Sequence, residues 1–446
     1  MSVGSDFRQM LTAKNSRSSF KMCRKIQYCL TFALLLMVAL ADHHEGHDHG
    51  EHSADHHHHL HHDKNEPHPS GKNCSSQTLS SQNADFAFTL YNKLSQQADA
   101  KGKNIFFSPL SISLALSTLA LGAKDETHSQ IFNILGYSSF TEDQVNEAYE
   151  HLLHILDHKE GVLLETGGGL AIREGFKPVD KFLKDLQHFY RAEAFTVDFS
   201  KPEAAVKEVN KFIAKKTKDT ITDMVKTLDA DTVIVLLNYI YFRGKWEKPF
   251  EEELTHKADF HVDENTKVTV DFMKRTGRYD FYQDWDNFTS VIRLPYKGNT
   301  SLLIVLPNEG KLEEVEKHLS KEGLKYWHDK LHRSSVDVYL PKFSISASSC
   351  LGDILKELGI VDAFSDKADF SRISEETKLK VSKVLHQAVL KVDEKGTEAA
   401  AVTTIEIMPM SLPDTFKLNR PFLVFIVEDS TKSILFLGKI TNPTEQ

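Results

Sequence analysis

The sequence predicts an α+β protein, because helical patterns occupy one part of the chain and strand patterns dominate the rest. Apolar residues recur at helical spacing in residues 84–94, 113–121 and 142–159. A long apolar, β-branched run covers residues 232–242, and the stretch 272–308 alternates as several strands do. These observations place helices towards the beginning of the globular body and strands through most of its remainder.

The first predicted helix begins near Ala84, and its apolar positions are Phe86, Phe88, Leu90, Tyr91 and Leu94. The second is an apolar helix over residues 113–121. Ser108 is suited to its N-cap, Pro109 to its first turn, and Gly122 to its end. The third helix, over residues 142–159, is expected to bury one face and to expose an acidic one. Its inward residues are Val145, Tyr149, Leu152, Leu153 and Leu156.

Three consecutive glycines follow Thr166 at positions 167–169. No Gly-Lys-Ser/Thr sequence comes after them, so the segment does not predict a phosphate-binding loop. We expect a loop here, leading into a short strand over residues 170–173. The run 232–242 is predicted to be a central strand buried on both faces, and residues 379–392 are predicted to form a later strand.

Composition excludes several classes of function. The chain has 446 residues, 40% of them hydrophobic, and a formal net charge of -9. This length suffices for a large core, and the mild acidity argues against nucleic acid or an anionic membrane as partner. The chain contains no Gly-x-Ser-x-Gly motif, zinc-protease helix or dinucleotide fingerprint. We therefore expect neither an enzyme nor a cofactor.

The N-terminus has the organisation of a signal peptide. Lys21, Arg24 and Lys25 precede an apolar run over residues 29–40, and Ala39-Leu40-Ala41 is a small-x-small cleavage site. The run is shorter than the roughly 20 residues of a membrane-spanning helix, which disfavours the alternative of a short membrane anchor. We expect residues 1–41 to be removed and the protein to be secreted, with Met22 as an alternative start.

Residues 42–83 form a histidine-rich tail that is predicted to be disordered, because it has too few apolar residues to offset the entropy of ordering. Imidazoles with neighbouring carboxylates bind zinc or copper weakly, and the alternative is a solvated tail. The sequence alone does not decide whether the tail contains a defined metal site. The residues of the weak candidate site are His56, His57, His58, His59, His61 and His62.

Two further features agree with secretion. Of the four cysteines, Cys23 and Cys29 leave with the signal peptide. Cys74 lies in the polar tail and Cys350 in the body, so no disulfide between them is expected. Three N-glycosylation sequons are present, at Asn73, Asn287 and Asn299.

Residues 394–414 combine two patterns that rarely occur together. Small or apolar residues occupy every second position from Thr397 to Ile407, which is typical of a half-buried strand. Pro409 and Pro413 then exclude a central strand and favour an extended segment. On local pattern alone, a strand followed by a linker is an adequate interpretation.

This segment resembles the reactive-centre loop of inhibitory serpins. The hinge part consists of Glu394, Gly396, Thr397, Glu398, Ala399, Ala400 and Ala401, and Pro409-Met410-Ser411 is similar to a scissile region. Similar motifs recur from residue 84 to residue 446, which the resemblance assigns to one serpin domain. The implied fold is α+β with three β-sheets, eight or nine helices and an exposed loop.

The resemblance also implies structural roles for residues far from the loop. It places Ser108, Ser111, Asn238 and His386 in the shutter, where strands of the large sheet part, and Trp246 in the breach near the hinge. It pairs Lys342 with Glu394. From the residues alone, His386 is equally a hydrogen-bonded core histidine, Trp246 a core aromatic, and the charged pair two solvated side chains. Among the sequons, the resemblance favours Asn299.

The function implied is suicide inhibition of a secreted serine protease, with cleavage at Met410-Ser411 and insertion of the loop into the large sheet. Unbranched, apolar Met410 suits elastase-like and chymotrypsin-like enzymes. The acidic third helix lacks the basic stripe of heparin-activated serpins, so we expect no heparin activation, and we expect a monomer. The alternatives are a non-inhibitory carrier of a small apolar hormone and metal binding through the histidine-rich tail.

Overall fold

The structure is a computed structural model that describes residues 76–97, 100, 102–157, 161–375, 378–395 and 412–445. Within these ranges the chain has nine α-helices: α1 (Ser76–Ser95), α2 (Pro109–Leu121), α3 (Asp125–Leu135), α4 (Glu142–Asp157), α5 (Asp180–Tyr190), α6 (Pro202–Lys216), α7 (Leu312–Glu316), α8 (Lys321–Lys330) and α9 (Gly352–Leu358). The strands are β1 (Ile105–Phe107), β2 (Val162–Arg173), β3 (Glu193–Val197), β4 (Ile234–Gly244), β5 (His256–His261), β6 (Lys267–Asp284), β7 (Thr289–Tyr296), β8 (Thr300–Pro307), β9 (His332–Pro341), β10 (Phe343–Cys350), β11 (Val381–Val392), β12 (Asp414–Lys417), β13 (Phe422–Glu428) and β14 (Ser433–Ile440). The predicted α+β class is confirmed.

The strands pair in two groups. The smaller sheet has five strands in the order β10-β11-β4-β2-β3, and the larger has nine, in the order β1-β14-β13-β8-β7-β6-β9-β12 with β5 beside β6. The 18-residue β6 pairs with β7 near its end and with β5 and β9 along the rest. This long strand therefore joins two groups of strands that would otherwise count as separate sheets. For this reason the structure has two continuous sheets where the resemblance implied three.

Strand β4 lies in the middle of the smaller sheet and is buried on both faces, as predicted. Its side chains alternate, so that Val235, Leu237 and Tyr239 contact one apolar cluster and the intervening residues contact the main core. The first cluster also contains Ala205, Val209 and Ile213, which are spaced four apart along α6. Helix α6 consequently covers one face of the sheet, and the main core lies against the other.

Helix α2 lies within the core and begins as predicted. The Ser108 Oγ accepts a hydrogen bond from the Ser111 amide over 3.1 Å, Pro109 occupies the first turn, and Gly122 caps the end. All of its residues are buried, so it is apolar on every side. No helix in the described ranges has both the length and the apolar character to span a membrane.

The glycines at 167–169 are part of strand β2, so the predicted loop is wrong. They pair with Leu237, Asn238 and Tyr239 of β4. A Cβ atom on Gly168 would lie 2.7 Å from the Leu237 carbonyl oxygen, and one on Gly167 would lie 2.5 Å from the Tyr239 hydroxyl. The glycines therefore permit close packing against β4.

The beginning of the folded body also differs from the prediction. Helix α1 starts at Ser76, so residues 76–83, which the sequence pattern assigned to the tail, are its first turns. Leu79 and Asn83 are buried, which gives these turns a packing partner despite their polar composition. Helix α4, by contrast, buries the predicted apolar face.

Candidate functional site

The candidate site lies where β11 ends and the segment resembling a reactive-centre loop begins. Strand β11 ends at Val392, and Asp393, Glu394 and Lys395 are the last described residues before the loop. The hinge residues Gly396, Thr397, Glu398, Ala399, Ala400 and Ala401, and the Met410-Ser411 bond, lie outside the described residues. The site is therefore built from the strands and contacts that hold the start of the loop.

Glu394 is buried, with 5% of its surface exposed, and its carboxylate has two partners. The Lys342 Nζ lies 2.8 Å from Oε2, and the Thr255 Oγ1 donates a hydrogen bond to Oε1 over 3.0 Å. Burial raises the pKa of this carboxyl, but the hydrogen bonds from Lys342 and Thr255 outweigh it and leave the pKa below its ordinary value. The contact between Lys342 and Glu394 that the resemblance implied is therefore confirmed. The alternative of two solvated side chains is wrong for Glu394, because its carboxylate is buried.

The backbone of the same segment is held by residues 246–250. The Trp246 Nε1 donates to the Asp393 carbonyl over 2.8 Å, and the Phe250 amide donates to the Glu394 carbonyl over 2.9 Å. The Trp246 ring is buried and stacks on Tyr296 with ring centroids 4.1 Å apart. The loop anchor, as we define it, consists of Trp246, Phe250, Thr255, Lys342, Asp393 and Glu394.

Two of the loop-anchor residues that contact Glu394 had no counterpart in the sequence analysis. Thr255 lies just before β5, and nothing in its neighbourhood distinguishes it from other threonines in sequence. Phe250 follows Trp246 by four residues, and no pattern at its own position points to the loop. Both contact Glu394 from more than one hundred residues away, and a local pattern cannot report such pairs.

A second group of polar contacts lies further back along strand β11, on the face of the sheet towards the main core. The His386 Nδ1 lies 2.6 Å from the Asn238 Oδ1, and the Ser108 amide donates to the His386 Nε2 over 3.1 Å. Because Nε2 accepts from an amide, the imidazole proton is on Nδ1 and is donated to Asn238. Burial lowers the pKa of His386 to about 3, so the ring is neutral.

These contacts form a continuous network across four elements, α2, β2, β4 and β11. Ser108 caps α2 by accepting from the Ser111 amide, and the Asn238 Nδ2 donates to the Gly167 carbonyl on β2 over 3.4 Å. We define the His386 network as Ser108, Ser111, Asn238 and His386. The structure brings together all four residues that the resemblance placed in the shutter, and it places Trp246 apart from them, in the loop anchor.

The strands that carry the two groups are parallel neighbours. Strand β11 pairs with β4 from Val381 opposite Ile234 to Leu390 opposite Phe242, with His386 opposite Asn238. Its other neighbour, β10, is antiparallel to it. The hydrogen bond between His386 and Asn238 thus crosses the boundary between the parallel strands β11 and β4, and the loop follows the end of β11.

The sequons and cysteines occupy other surfaces. Asn287 and Asn299 are exposed in the turns that follow β6 and β7, whereas Asn73 lies outside the described residues. Cys350 is a free, exposed cysteine, and Cys74 is outside the described ranges. Among the described residues there is no group of three or more His, Cys, Asp or Glu suited to a metal ion, and the histidine-rich tail lies outside them.

Comparison with protein families finds a match to the family described as serpin (serine protease inhibitor) over residues 81–443. An alpha-1-antitrypsin homolog of Cyprinus carpio is 67% identical over 320 residues, which cover 72% of this chain and 86% of the relative. Alpha-1-antiproteinase 2 of Equus caballus is 48% identical over 367 residues, which cover 81% of this chain and 86% of the relative.

Solved structures give the same result. Human thyroxine-binding globulin in complex with thyroxine aligns with a TM-score of 0.79 and 40% identity, covering 83% of this chain and 100% of the other. Human glycosylated kallistatin aligns with a TM-score of 0.77 and 39% identity, with coverage of 83% and 100%. With matching sequence motifs, a matching sheet arrangement and close relatives across most of its length, the chain belongs to the serpin family of serine protease inhibitors.

Proposed function

We propose that this protein is a secreted inhibitor of elastase-like or chymotrypsin-like serine proteases that acts as a suicide substrate. The protease attacks the Met410-Ser411 bond, and the cleaved loop then inserts as a new strand between β11 and β4. These strands belong to the five-stranded sheet, which takes the part of the family's large sheet in this proposal, although β6 joins the remaining strands into a ladder of nine. The observation that carries the proposal is the parallel pairing of these two strands, with the loop leaving the end of β11 directly.

Strand direction explains why insertion between these strands is favourable. A segment that turns back after β11 runs antiparallel to β11, and because β4 is parallel to β11, it also runs antiparallel to β4. Insertion exchanges one parallel ladder for two antiparallel ones, and antiparallel pairing is the more stable per residue. The alternating positions from Thr397 to Ile407 supply one small or apolar face for the core side of the sheet.

The covalent chemistry is that of the protease. Its serine Oγ bonds to the Met410 carbonyl carbon, the bond to the Ser411 nitrogen breaks, and the protease histidine moves the serine proton to that nitrogen. Met410 suits an apolar primary pocket, and Pro409 lowers the entropy lost on docking. Inhibition requires the loop to insert before water hydrolyses the ester.

In this proposal the two groups of contacts act as restraints on opening. The loop anchor holds the start of the loop at one end of the β11–β4 boundary, and its position suits the breach. The His386 network links β11 to β4 and α2 further along, and its position suits the shutter. Both groups must yield as the strands separate, so their contacts set how readily the uncleaved protein opens.

The rest of the proposal concerns where the protein acts. The signal peptide and the sequons at Asn73, Asn287 and Asn299 support export and glycosylation. The acidic surface of α4, which carries Glu142, Asp143, Glu147 and Glu150, supports inhibition without heparin. We propose that the mature protein is a monomer and needs neither cofactor nor metal.

The test is to mix the secreted protein with elastase and with chymotrypsin and to run a denaturing gel. The expected result is a covalent complex that survives SDS, together with a large rise in unfolding temperature after loop cleavage. The Met410→Arg variant is a matched control, because it should lose these two targets and gain trypsin. Cleavage without a complex and without a rise in unfolding temperature would contradict the proposal.

A second candidate is carriage of a small apolar hormone, which the likeness to hormone-bound thyroxine-binding globulin favours. The small residues of the hinge, Gly396, Thr397 and Ala399 to Ala401, favour inhibition instead. The same gel separates the two functions. A carrier would be cleaved as a simple substrate, and an apolar hormone would then bind it in a calorimetric titration.

A further inference from the structure

A four-residue turn between β6 and β7 exposes a tryptophan next to a glycosylation sequon. The turn consists of Trp285, Asp286, Asn287 and Phe288, and Thr289 completes the sequon at the start of β7. Trp285 is 77% exposed, a larger fraction than any other aromatic side chain in the described ranges. A sugar attached at the neighbouring sequon would have this exposed apolar ring face beside it.

The turn is held by hydrogen bonds to the buried Asp284 side chain and to the backbone of Asn308. The buried carboxylate of Asp284 accepts from the Asn287 amide over 3.2 Å, from the Asn287 Nδ2 over 2.7 Å and from the Trp327 Nε1 over 3.1 Å. The Phe288 carbonyl accepts from the Asn308 amide over 2.8 Å. These hydrogen bonds stabilise the conformation of the turn that carries Trp285 and Asn287.

Asn287 remains accessible despite these contacts. Its side chain is exposed, and its Nδ2 carries two hydrogens, of which the bond to Asp284 uses one. The second hydrogen marks the position that a sugar would take. Two successive Cα–Cα steps of about 3.8 Å keep the Cα atoms of Trp285 and Asn287 within about 7.6 Å, so a sugar on Asn287 lies within reach of the indole.

We propose that Asn287 carries an N-linked glycan and that Trp285 is the platform for its first N-acetylglucosamine. One face of this sugar presents only C–H groups, and the electron-rich face of an indole attracts them. The contact covers the exposed ring and orders the glycan on the turn. The proposal rests on the secretory route proposed above, because glycan transfer needs that route.

The covalent step is oligosaccharyl transfer from a lipid-linked oligosaccharide diphosphate. The Asn287 Nδ2 bonds to C1 of the sugar, the bond from C1 to the diphosphate oxygen breaks, and the lipid diphosphate leaves while Nδ2 loses its proton. No oxidation or reduction occurs. The remaining Nδ2 hydrogen can still be donated to Asp284, so the modification does not require the turn to open.

Asn299 provides an internal comparison. It is also exposed in a turn, between β7 and β8, and its backbone has a positive φ of 56°. The residues before it in the turn are Lys297 and Gly298, and neither is aromatic. A glycan on Asn299 would have no such platform beside it, so its removal should leave stability nearly unchanged.

The test uses the full chain carrying Asn73→Gln and Asn299→Asp, so that Asn287 is the one remaining sequon. The protein is secreted from cultured eukaryotic cells, trimmed by an endoglycosidase to one N-acetylglucosamine, and compared with the same chain from bacteria. We expect mass spectrometry to find Asn287 occupied and the sugar to raise the unfolding temperature by about 2 °C. Trp285→Ala should abolish this gain, and Trp285→Phe should retain most of it.

Two results would overturn the proposal. One is an unmodified Asn287 in secreted wild-type protein whose Asn299 is occupied. The other is a temperature gain that persists in Trp285→Ala, because the sugar would then act without the indole. A chain that is retained in the cell, with all three sequons unoccupied, would refute the secretory route itself, and the two failures are therefore distinguishable.

Discussion

His386 on β11 donates a hydrogen bond to Asn238 on β4 across 2.6 Å, and the two residues are directly opposite each other in parallel strands. Both lie in a core from which water is excluded, since His386 is 1% exposed and Asn238 is 2% exposed. The bond thus links two strands that must separate if the loop inserts between them. It also depends on a neutral imidazole, because Nε2 accepts from the Ser108 amide.

The first prediction is that acidification weakens the protein through His386. Its pKa is about 3 in the folded state and 6.5 ordinarily, so the unfolded chain binds the extra proton as pH falls below 6.5. The stabilisation is present above pH 6.5 and is lost on the way to pH 3, at about 1.4 kcal/mol per pH unit at most. The pH dependence of the urea midpoint should therefore be steeper in the wild type than in His386→Gln. Equal slopes would refute this role.

The second prediction concerns the charged pair of the loop anchor. Lys342→Met leaves the buried Glu394 carboxylate with Thr255 but without its cation. The loss should be about 1–2 kcal/mol, between the values for exposed and for fully buried pairs, because the Lys342 side chain is 43% exposed. Combining it with Glu394→Gln should cost less than the sum of the single changes. A denaturant titration of all four proteins measures this coupling, and strict additivity would show that the pair contributes nothing.

The third prediction tests the glycines of β2. A Cβ on Gly168 would lie 2.7 Å from the Leu237 carbonyl oxygen, which is backbone and cannot rotate away. Gly168→Ala should destabilise the protein by about 1–3 kcal/mol. Gly352→Ala is the control, because its Cβ would lie 3.7 Å from Phe364 in ordinary contact, and its midpoint should change by less than about 0.5 kcal/mol. Similar midpoints for the two variants would contradict the close-packing explanation.

The fourth prediction is that Thr397→Arg converts an inhibitor into a substrate. An arginine at the first alternating position would have to bury an unpaired charge on insertion, which is too costly for the sheet to close around it. Cleavage at Met410-Ser411 should continue at a similar rate. The measurement is the ratio of SDS-stable complex to cleaved protein, and Thr397→Ser should leave that ratio unchanged. An undiminished yield of complex from Thr397→Arg would exclude insertion from this end.

The fifth prediction is inactivation by oxidation. Met408 and Met410 are thioethers in the loop, and a sulfoxide on Met410 would place a polar group in an apolar protease pocket. Mild oxidant should lower the association rate with elastase by at least tenfold. Met410→Leu should resist the same treatment. If the wild type keeps its rate after oxidation, then Met410 does not occupy the pocket.

Patterns with local causes were predictable from the sequence. The cap at Ser108, the apolar helix that follows it and the doubly buried strand over 232–242 depend on residues next to one another, and the structure confirms each. The glycines 167–169 were assigned to a loop because glycine is usual in turns. Their actual cause is the close approach of residues distant in sequence, such as the Leu237 carbonyl at Gly168 and the Tyr239 hydroxyl at Gly167, which leave no local trace.

The candidate site was predictable to a lesser extent. The residues alone suggested a strand followed by a stiff segment, and only the family resemblance singled out His386, Asn238 and Trp246. Thr255 was not found by either route, because its bond to Glu394 joins residues 139 positions apart. The Asn-Phe-Thr triplet identified Asn287 as a sequon, but only the three-dimensional exposure of Trp285 distinguishes the Asn287 site from the Asn299 site.

The apolar cluster that contains helix α6 gives the proposed inhibitor an activation barrier to loop insertion. The cluster includes residues of β4, and Leu385 and Val389 of β11 pack against it, so the cluster bridges the boundary that would open. A new strand would widen the sheet there by about 4.8 Å, which exceeds the range of van der Waals contact. Those contacts must break before new ones form, so insertion of the loop has an activation barrier. Variants that weaken this packing would therefore change the rate at which a protease is captured and the lifetime of the uncleaved inhibitor. The choice of protease should be affected less than either of these two quantities.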